Sequence, residues 1–266
     1  MRIAIFHGGN LFIKPFVKDW QEKGHDVRMG PCYSRWTTWK PDLLFFEFCT
    51  ANIVIHTTQY ERECPTFCRL HGVGYRFGTY RHVDWKKVDG LIFVSDWLKR
   101  ACEVHPEVFN TKRYVVNNGV DMDEFTLKRN FEPTYKVAYV GRDMPLKGID
   151  RLPEIIQRFK QIDPRYELHT AMGNVPHENM NEWLEDKDYL IHPSTFETFC
   201  MAVAEAMAKG IRPLINNWPG ADETWGEEFF LDKFNLQQDP LRLRSIIETK
   251  YNLKRTMKEI NEIVGL

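Results

Sequence analysis

Short apolar runs recur along the chain, bounded by turn-forming or polar residues. They predict strands over residues 2–6, 26–29, 42–46, 66–70, 90–94 and 114–116, and again over 135–140, 189–192 and 213–215. Between the first two, Phe12, Phe16 and Trp20 repeat at helical spacing with Ile13 and Val17 beside them, and Gly24 stops the pattern. Further helices are expected over residues 149–160, with Pro153 near the start, over 199–208 ahead of Gly210, and over 253–263. Strand, turn, helix, strand in this order implies parallel sheets with right-handed crossovers.

The periodicity breaks once in the middle. Residues 117–121, NNGVD, form a turn and residues 123–133, DEFTLKRNFEP, are charged, so we expect one Rossmann-like domain over residues 1–130 and a second over 131–250, with a separate helix in 251–266. At 266 residues with 43% hydrophobic side chains, both domains have enough apolar surface for a core. The 36 basic and 37 acidic residues give a net charge of −1, which offers no electrostatic footprint for nucleic acid. No apolar run approaches the roughly 20 residues of a membrane span and no signal-peptide layout opens the chain, so a cytoplasmic protein is expected; attachment to a membrane surface is compatible with this. The six cysteines show no disulfide framework. Cys64, Cys68 and His71 have a metal-like spacing but lack a fourth ligand, and buried thiols are the better expectation there.

The candidate chemistry sits on strand-to-helix turns. Residues 189–223 read as strand, polar turn, helix, glycine stop and strand, with Glu197 and Glu205 bracketing the helix start. With Thr198 as N-cap, the N–H groups of Phe199, Cys200 and Met201 would face an anion such as a phosphate. Glu205, the one charge on an otherwise apolar helix, needs a partner: either a ribose diol or Lys209 at i, i+4. Arg142 and Lys147 flank the loop after residue 140 and suit a diphosphate, or are ordinary surface charges. Gly8 and Gly9 form a turn after the first strand that is either a phosphate approach or a tight connection, and His71 opens a glycine-rich loop after the fourth.

Three fragments in this order, NNGVDMDEF (117–125), YVGRDMPLKGIDRL (139–152) and HPSTFETFCMAVAEAMAKG (192–210), resemble the retaining glycosyltransferases of the GT-B fold, family 4 type. The resemblance covers most of the second half and fits the first half more loosely, as a compact, trimmed variant. It implies two Rossmann-like domains facing a cleft that holds a nucleotide-diphosphate sugar, with the C-terminal helix crossing back to the first domain. By the same resemblance Arg142 and Lys147 bind the diphosphate, Glu205 the ribose, Glu197 the donor sugar, His71 faces the sugar, and Gly8 and Gly9 lie near the phosphate and acceptor. The reaction expected is metal-independent, same-face transfer to an unidentified acceptor hydroxyl without a cofactor; Asp121 and Asp123 have D-x-D spacing, but Asp121 belongs to the NNGVD turn and the spacing is read as incidental. A non-catalytic nucleotide-sugar-binding protein, or an epimerase on the same scaffold, is the alternative. Two departures stand out: Cys200 occupies a position where many relatives have glycine, and only fifteen residues, 174–188, stand where relatives build a nucleotide-base pocket.

Overall fold

A computed structural model describes residues 1–7, 13–30 and 39–266. Gly8 and Gly9, with Phe12, Cys32 and Trp36, lie outside the described residues. The chain divides into two compact units, Met1–Asn117 with Met257–Leu266, and Asn118–Thr256. The division falls before the boundary expected at residue 130. Val120 and Phe125 belong to the core of the second unit, and Val120 exchanges backbone hydrogen bonds with Tyr251 (2.8 Å) and Leu253 (2.9 Å). A Cβ on Gly119 would stand 2.4 Å from Leu253 Cα, so only glycine fits this close approach.

The first unit holds a parallel sheet of β1 (Arg2–His7), β2 (Asp26–Gly30), β3 (Leu43–Glu47), β4 (Thr66–Leu70), β5 (Gly90–Phe93) and β6 (Lys112–Val115) in the order β2-β1-β3-β4-β5-β6. Its helices are α1 (Lys14–Glu22), α2 (Ala51–Gln59), α3 (Gly72–Arg76) and α4 (Asp96–Cys102). Alternate strand residues feed two cores, Ile3, Ile5, Leu43 and Phe45 on one face and Ala4, Phe6, Leu44 and Phe46 on the other. Burial on both faces explains why these strands read as continuous apolar runs. Residues 71–78, expected to be a loop, contain α3.

The second unit holds β7 (Lys136–Val140), β8 (Glu167–Ala171), β9 (Tyr189–His192) and β10 (Arg212–Ile215), all parallel, in the order β10-β9-β7-β8. Its helices are α5 (Leu152–Ile162), α6 (Met180–Trp183), α7 (Met201–Ala208), α8 (Ala221–Thr224) and α9 (Pro240–Lys250). Helix α5 starts three residues later than expected, because two 3-10 turns, Pro145–Lys147 and Ile149–Arg151, precede it and Pro153 sits in its first turn. The final helix, α10 (Leu253–Val264), begins in the second unit; Ile260 and Val264 pack in a core of the first, where Asn261 accepts a hydrogen bond from Trp20 Nε1 (2.6 Å) and donates to Asp19 (2.9 Å). No helix among the described residues is long and apolar enough to cross a membrane.

Candidate functional site

In the second unit the chain runs from β7 to β8 on one side and places β9 on the other, so the strand order switches at the C-terminal ends of β7 and β9. Open parallel sheets form their ligand crevice at such a point. The loop after β7 is fastened to the turn after β9: Leu146 O accepts from Thr195 N (2.8 Å) and Ser194 Oγ (3.0 Å). Gly148 has φ +65°, and a Cβ there would lie 2.2 Å from Pro193 O. Any other residue would force the two loops apart.

This fastening carries Lys147 to Glu197, with Nζ 2.5 Å from Oε1. The same carboxylate oxygen lies 2.8 Å from Nε2 of His192, the last residue of β9. Burial opposes charge on His192, but Cys200 and the Glu197 carboxylate outweigh it and raise the pKa to about 10. Burial likewise opposes the Glu197 carboxylate, yet His192 and then Lys147 hold its pKa at about 2. The unit therefore presents one carboxylate braced by two cations. The Tyr139 ring stacks against His192 at 6.2 Å, and burial pushes its hydroxyl up to about 12. Arg142 is exposed on the same loop.

The helix start differs from the expectation. Thr198 is not the cap; Cys200 is, with φ +76° and ψ +86°, and α7 begins at Met201. The first-turn N–H groups are therefore those of Met201, Ala202 and Val203, in place of Phe199, Cys200 and Met201. Phe199 is 2% exposed and packs on Trp225 and Tyr251, and its carbonyl accepts from Trp225 Nε1 (3.0 Å). Its side chain is core.

Glu205 does not pair with Lys209, which reaches Glu185 (2.8 Å) and Asn181 (2.8 Å). Glu205 instead lies 3.2 Å from Nε2 of His177, whose other ring nitrogen is 3.7 Å from Glu124. The hydrogen bond to Glu205 leads in raising the His177 pKa. His177 sits in the short 174–188 segment, which carries a 3-10 turn, His177–Asn179, and α6.

In the first unit, Glu47 at the end of β3 is fully buried and lies 2.8 Å from His71 Nε2 and 3.3 Å from Arg69 Nη1. Burial opposes its charge, but Arg69 and His71 prevail and lower its pKa. For His71 burial dominates and the pKa falls, so the ring is neutral and Nε2–H donates to Glu47. Phe48 stacks on the His71 ring at 4.3 Å. His71 is thus committed to a carboxylate. Cys64, Cys68 and His71 form no ligand group among the described residues, and burial drives both thiols up, Cys64 to about 11. The group whose donor atoms do converge, all within 4.8 Å of one another, is His192, Glu197 and Cys200.

Sequence reasoning missed Glu47, His177 and His192. The first and last close apolar runs, LLFFE and YLIH, where a terminal polar residue is a functional signal at a sheet's carboxyl edge. His177 carries no such signal.

Residues 167–260 match the family profile of the glycosyl transferases group 1. One component of the phosphatidylinositol N-acetylglucosaminyltransferase of Homo sapiens is 25% identical over 48% of this chain; the chain spans 31% of that protein. Among solved structures, sucrose-phosphate synthase from Thermosynechococcus elongatus superposes with a TM-score of 0.74 at 13% identity, covering 99% of this chain and 98% of that one. HepE of Anabaena, solved with UDP and glucose, gives 0.68 at 14% identity over 100% and 99%. The chain thus has the GT-B fold, two parallel-sheet α/β units, with the match to group 1 glycosyl transferases in its second half.

Proposed function

We propose that this protein is a retaining glycosyltransferase that moves a sugar from a nucleotide-diphosphate sugar to an acceptor hydroxyl by a metal-independent, same-face mechanism. The observation that carries the reading is the Lys147–Glu197–His192 cluster at the carboxyl edge of β7 and β9, beside the start of α7. Two cations against one carboxylate leave a net positive charge, and free N–H groups at a helix start add to it. A nucleoside diphosphate gains negative charge as it departs, so fixed donors stabilise the transition state more than the bound donor. Lys147 and Arg142 neutralise the diphosphate. Glu205, held by His177, takes the ribose.

Glu197, with its carboxylate engaged by two cations and its pKa near 2, is a poor nucleophile, so it orients Lys147 and the donor sugar. The departing phosphate then takes the acceptor proton as the acceptor oxygen attacks from the same face. His71, a neutral ring fixed by Glu47, is suited to hydrogen-bonding a sugar hydroxyl, and Gly8 and Gly9 remain candidates for the phosphate and acceptor side. The test is turnover of a panel of UDP, GDP and ADP sugars with and without acceptors. Wild-type activity that falls about 100- to 1000-fold in Lys147→Ala, and sharply in Glu205→Ala, supports the reading. Binding without turnover across the panel favours a non-catalytic nucleotide-sugar-binding protein, and turnover without acceptor or hydrolysis favours an epimerase.

A further inference from the structure

We propose that a cavity at the amino-terminal edge of the second sheet binds a single-ring, uncharged molecule that carries a carbonyl or amide group. The cavity has a volume of about 220 Å³, below the range of drug-sized pockets and enough for one ring. It lies against Asp188 and Tyr189, where β9 begins, with Gly210, which follows α7, and Pro240, which opens α9. Tyr189 stands at the other end of β9 from His192, about 10 Å along the strand, so this site is separate from the cluster at the carboxyl edge.

The walls are flat and apolar. The rings of Phe131, Tyr166 and Tyr189 line the cavity together with Pro133 and Pro240. Tyr166 and Tyr189 are buried, whereas Phe131 is 44% exposed and leaves a ring face for a ligand to stack on.

The polar groups select the ligand. Lys128 is 5% exposed, and among the described residues its one hydrogen bond runs from Nζ to Lys187 O (2.6 Å). An ammonium has three donors, so two remain. Nζ lies 3.9 Å from Asp188 Oδ1 and 5.5 Å from the centre of the Phe131 ring, and both residues line the cavity, so this end of the side chain faces it. Burial lowers the Lys128 pKa against the pull of Asp188, and a desolvated ammonium gains from a further acceptor. Asp188 is already satisfied: its oxygens accept from Thr134 N (2.9 Å), Thr134 Oγ1 (3.0 Å) and Tyr135 N (2.7 Å). One cation and one satisfied carboxylate make the lining neutral, so Asp188 repels an anionic ligand and Lys128 a cationic one. An uncharged carbonyl oxygen takes the remaining Lys128 donors without adding a charge. Gln238 donates Nε2 to Asp188 O (2.9 Å) and keeps Oε1 to accept an N–H from the same ligand.

Binding here does not depend on sugar transfer, and the test reads binding alone. A ligand-observed NMR titration of the whole protein with benzamide at neutral pH should saturate with a Kd of about 0.1–5 mM, as expected of a single ring. Benzoate and benzylammonium, the same ring with a charge of either sign, should bind at least about tenfold more weakly. Lys128→Met should weaken benzamide by at least about tenfold and, with Asp188 left as the lone charge, bring benzylammonium ahead of it. Phe131→Ala, at an exposed position, should weaken benzamide about 2- to 10-fold and carries the test of place should Lys128→Met fail to fold. Absence of saturable benzamide binding in the wild type, or benzamide affinity unchanged in either folded variant, overturns the site; benzoate or benzylammonium bound by the wild type as tightly as benzamide overturns the ligand class.

Discussion

The two units each place a carboxylate between an imidazole and a cation at the carboxyl edge of a parallel sheet, and the two imidazoles end in opposite states. In the first unit Glu47 is shared by Arg69 and His71, all deeply buried, and desolvation wins on the ring, whose pKa falls. In the second, Glu197 and Cys200 together outweigh the burial of His192 and raise its pKa to about 10. Glu197 keeps 13% of its side-chain surface and Lys147 keeps 19%, so this cluster is open at its carboxylate and its cation, while in the other only the His71 ring, at 7%, reaches the surface. A neutral, fixed ring suits hydroxyl groups; a charged one suits phosphate. A carboxylate, an imidazole and a cation in each unit therefore bring the ring to opposite states by depth and by second neighbour.

Removing the carboxylates should break the comparison most visibly. Glu47→Ala removes the buried carboxylate that Arg69 and His71 share and should lower the unfolding free energy by about 3–5 kcal/mol, measured by denaturant unfolding. Glu197→Ala, whose cations reach water, should cost clearly less. Equal losses would show that burial does not separate the two clusters. Next in size, Gly148→Ala meets both a positive φ and Pro193 O, and should destabilise the second unit by about 1–3 kcal/mol while impairing the Lys147 position. Normal stability and donor affinity in that variant would mean the two loops are not held as described.

The pH dependence sharpens the contrast further because its sign differs between the rings. A histidine raised to about 10 contributes stability that is full below pH 6.5 and lost as pH rises toward 10. One lowered from 6.5 contributes stability that is full above 6.5 and lost as pH falls through its folded value. Denaturant midpoints measured from about pH 5 to 10 should therefore lose their alkaline decline in His192→Gln and part of their acid decline in His71→Gln. A variant set in which both slopes move the same way contradicts the assignment. The smallest effect is expected at His177, which is one-third exposed: His177→Ala should raise the donor KM by up to about tenfold and leave kcat nearly unchanged.

Legibility from sequence followed how local each signal was. Strands β4 and β9 coincide with the expected residues because apolar runs with sharp ends carry their own boundaries. β8, ELHTA, is half polar and only intermediate in burial over most of its length, so no run announced it. The E-x7-E spacing of Glu197 and Glu205 was readable, but their partners were not. His177 and Glu205 are 28 residues apart, and Glu47 and His71 are 24 apart, so these pairs exist only after the sheets form. The start of α7 differs from the expectation because Thr198 has the chemistry of a cap, whereas the left-handed turn at Cys200, next to the buried Phe199, leaves no trace in composition.

The central claim, that the Lys147–Glu197–His192 cluster holds a diphosphate, is tested most directly by calorimetric titration with nucleoside diphosphates, using the matching nucleosides as controls. At least one diphosphate should bind far more tightly than its nucleoside, and Lys147→Ala should weaken it by about 10- to 150-fold, the equivalent of one charged hydrogen bond of about 1.5–3 kcal/mol, while leaving nucleoside binding unchanged. Equal diphosphate affinity in wild type and Lys147→Ala would contradict the account.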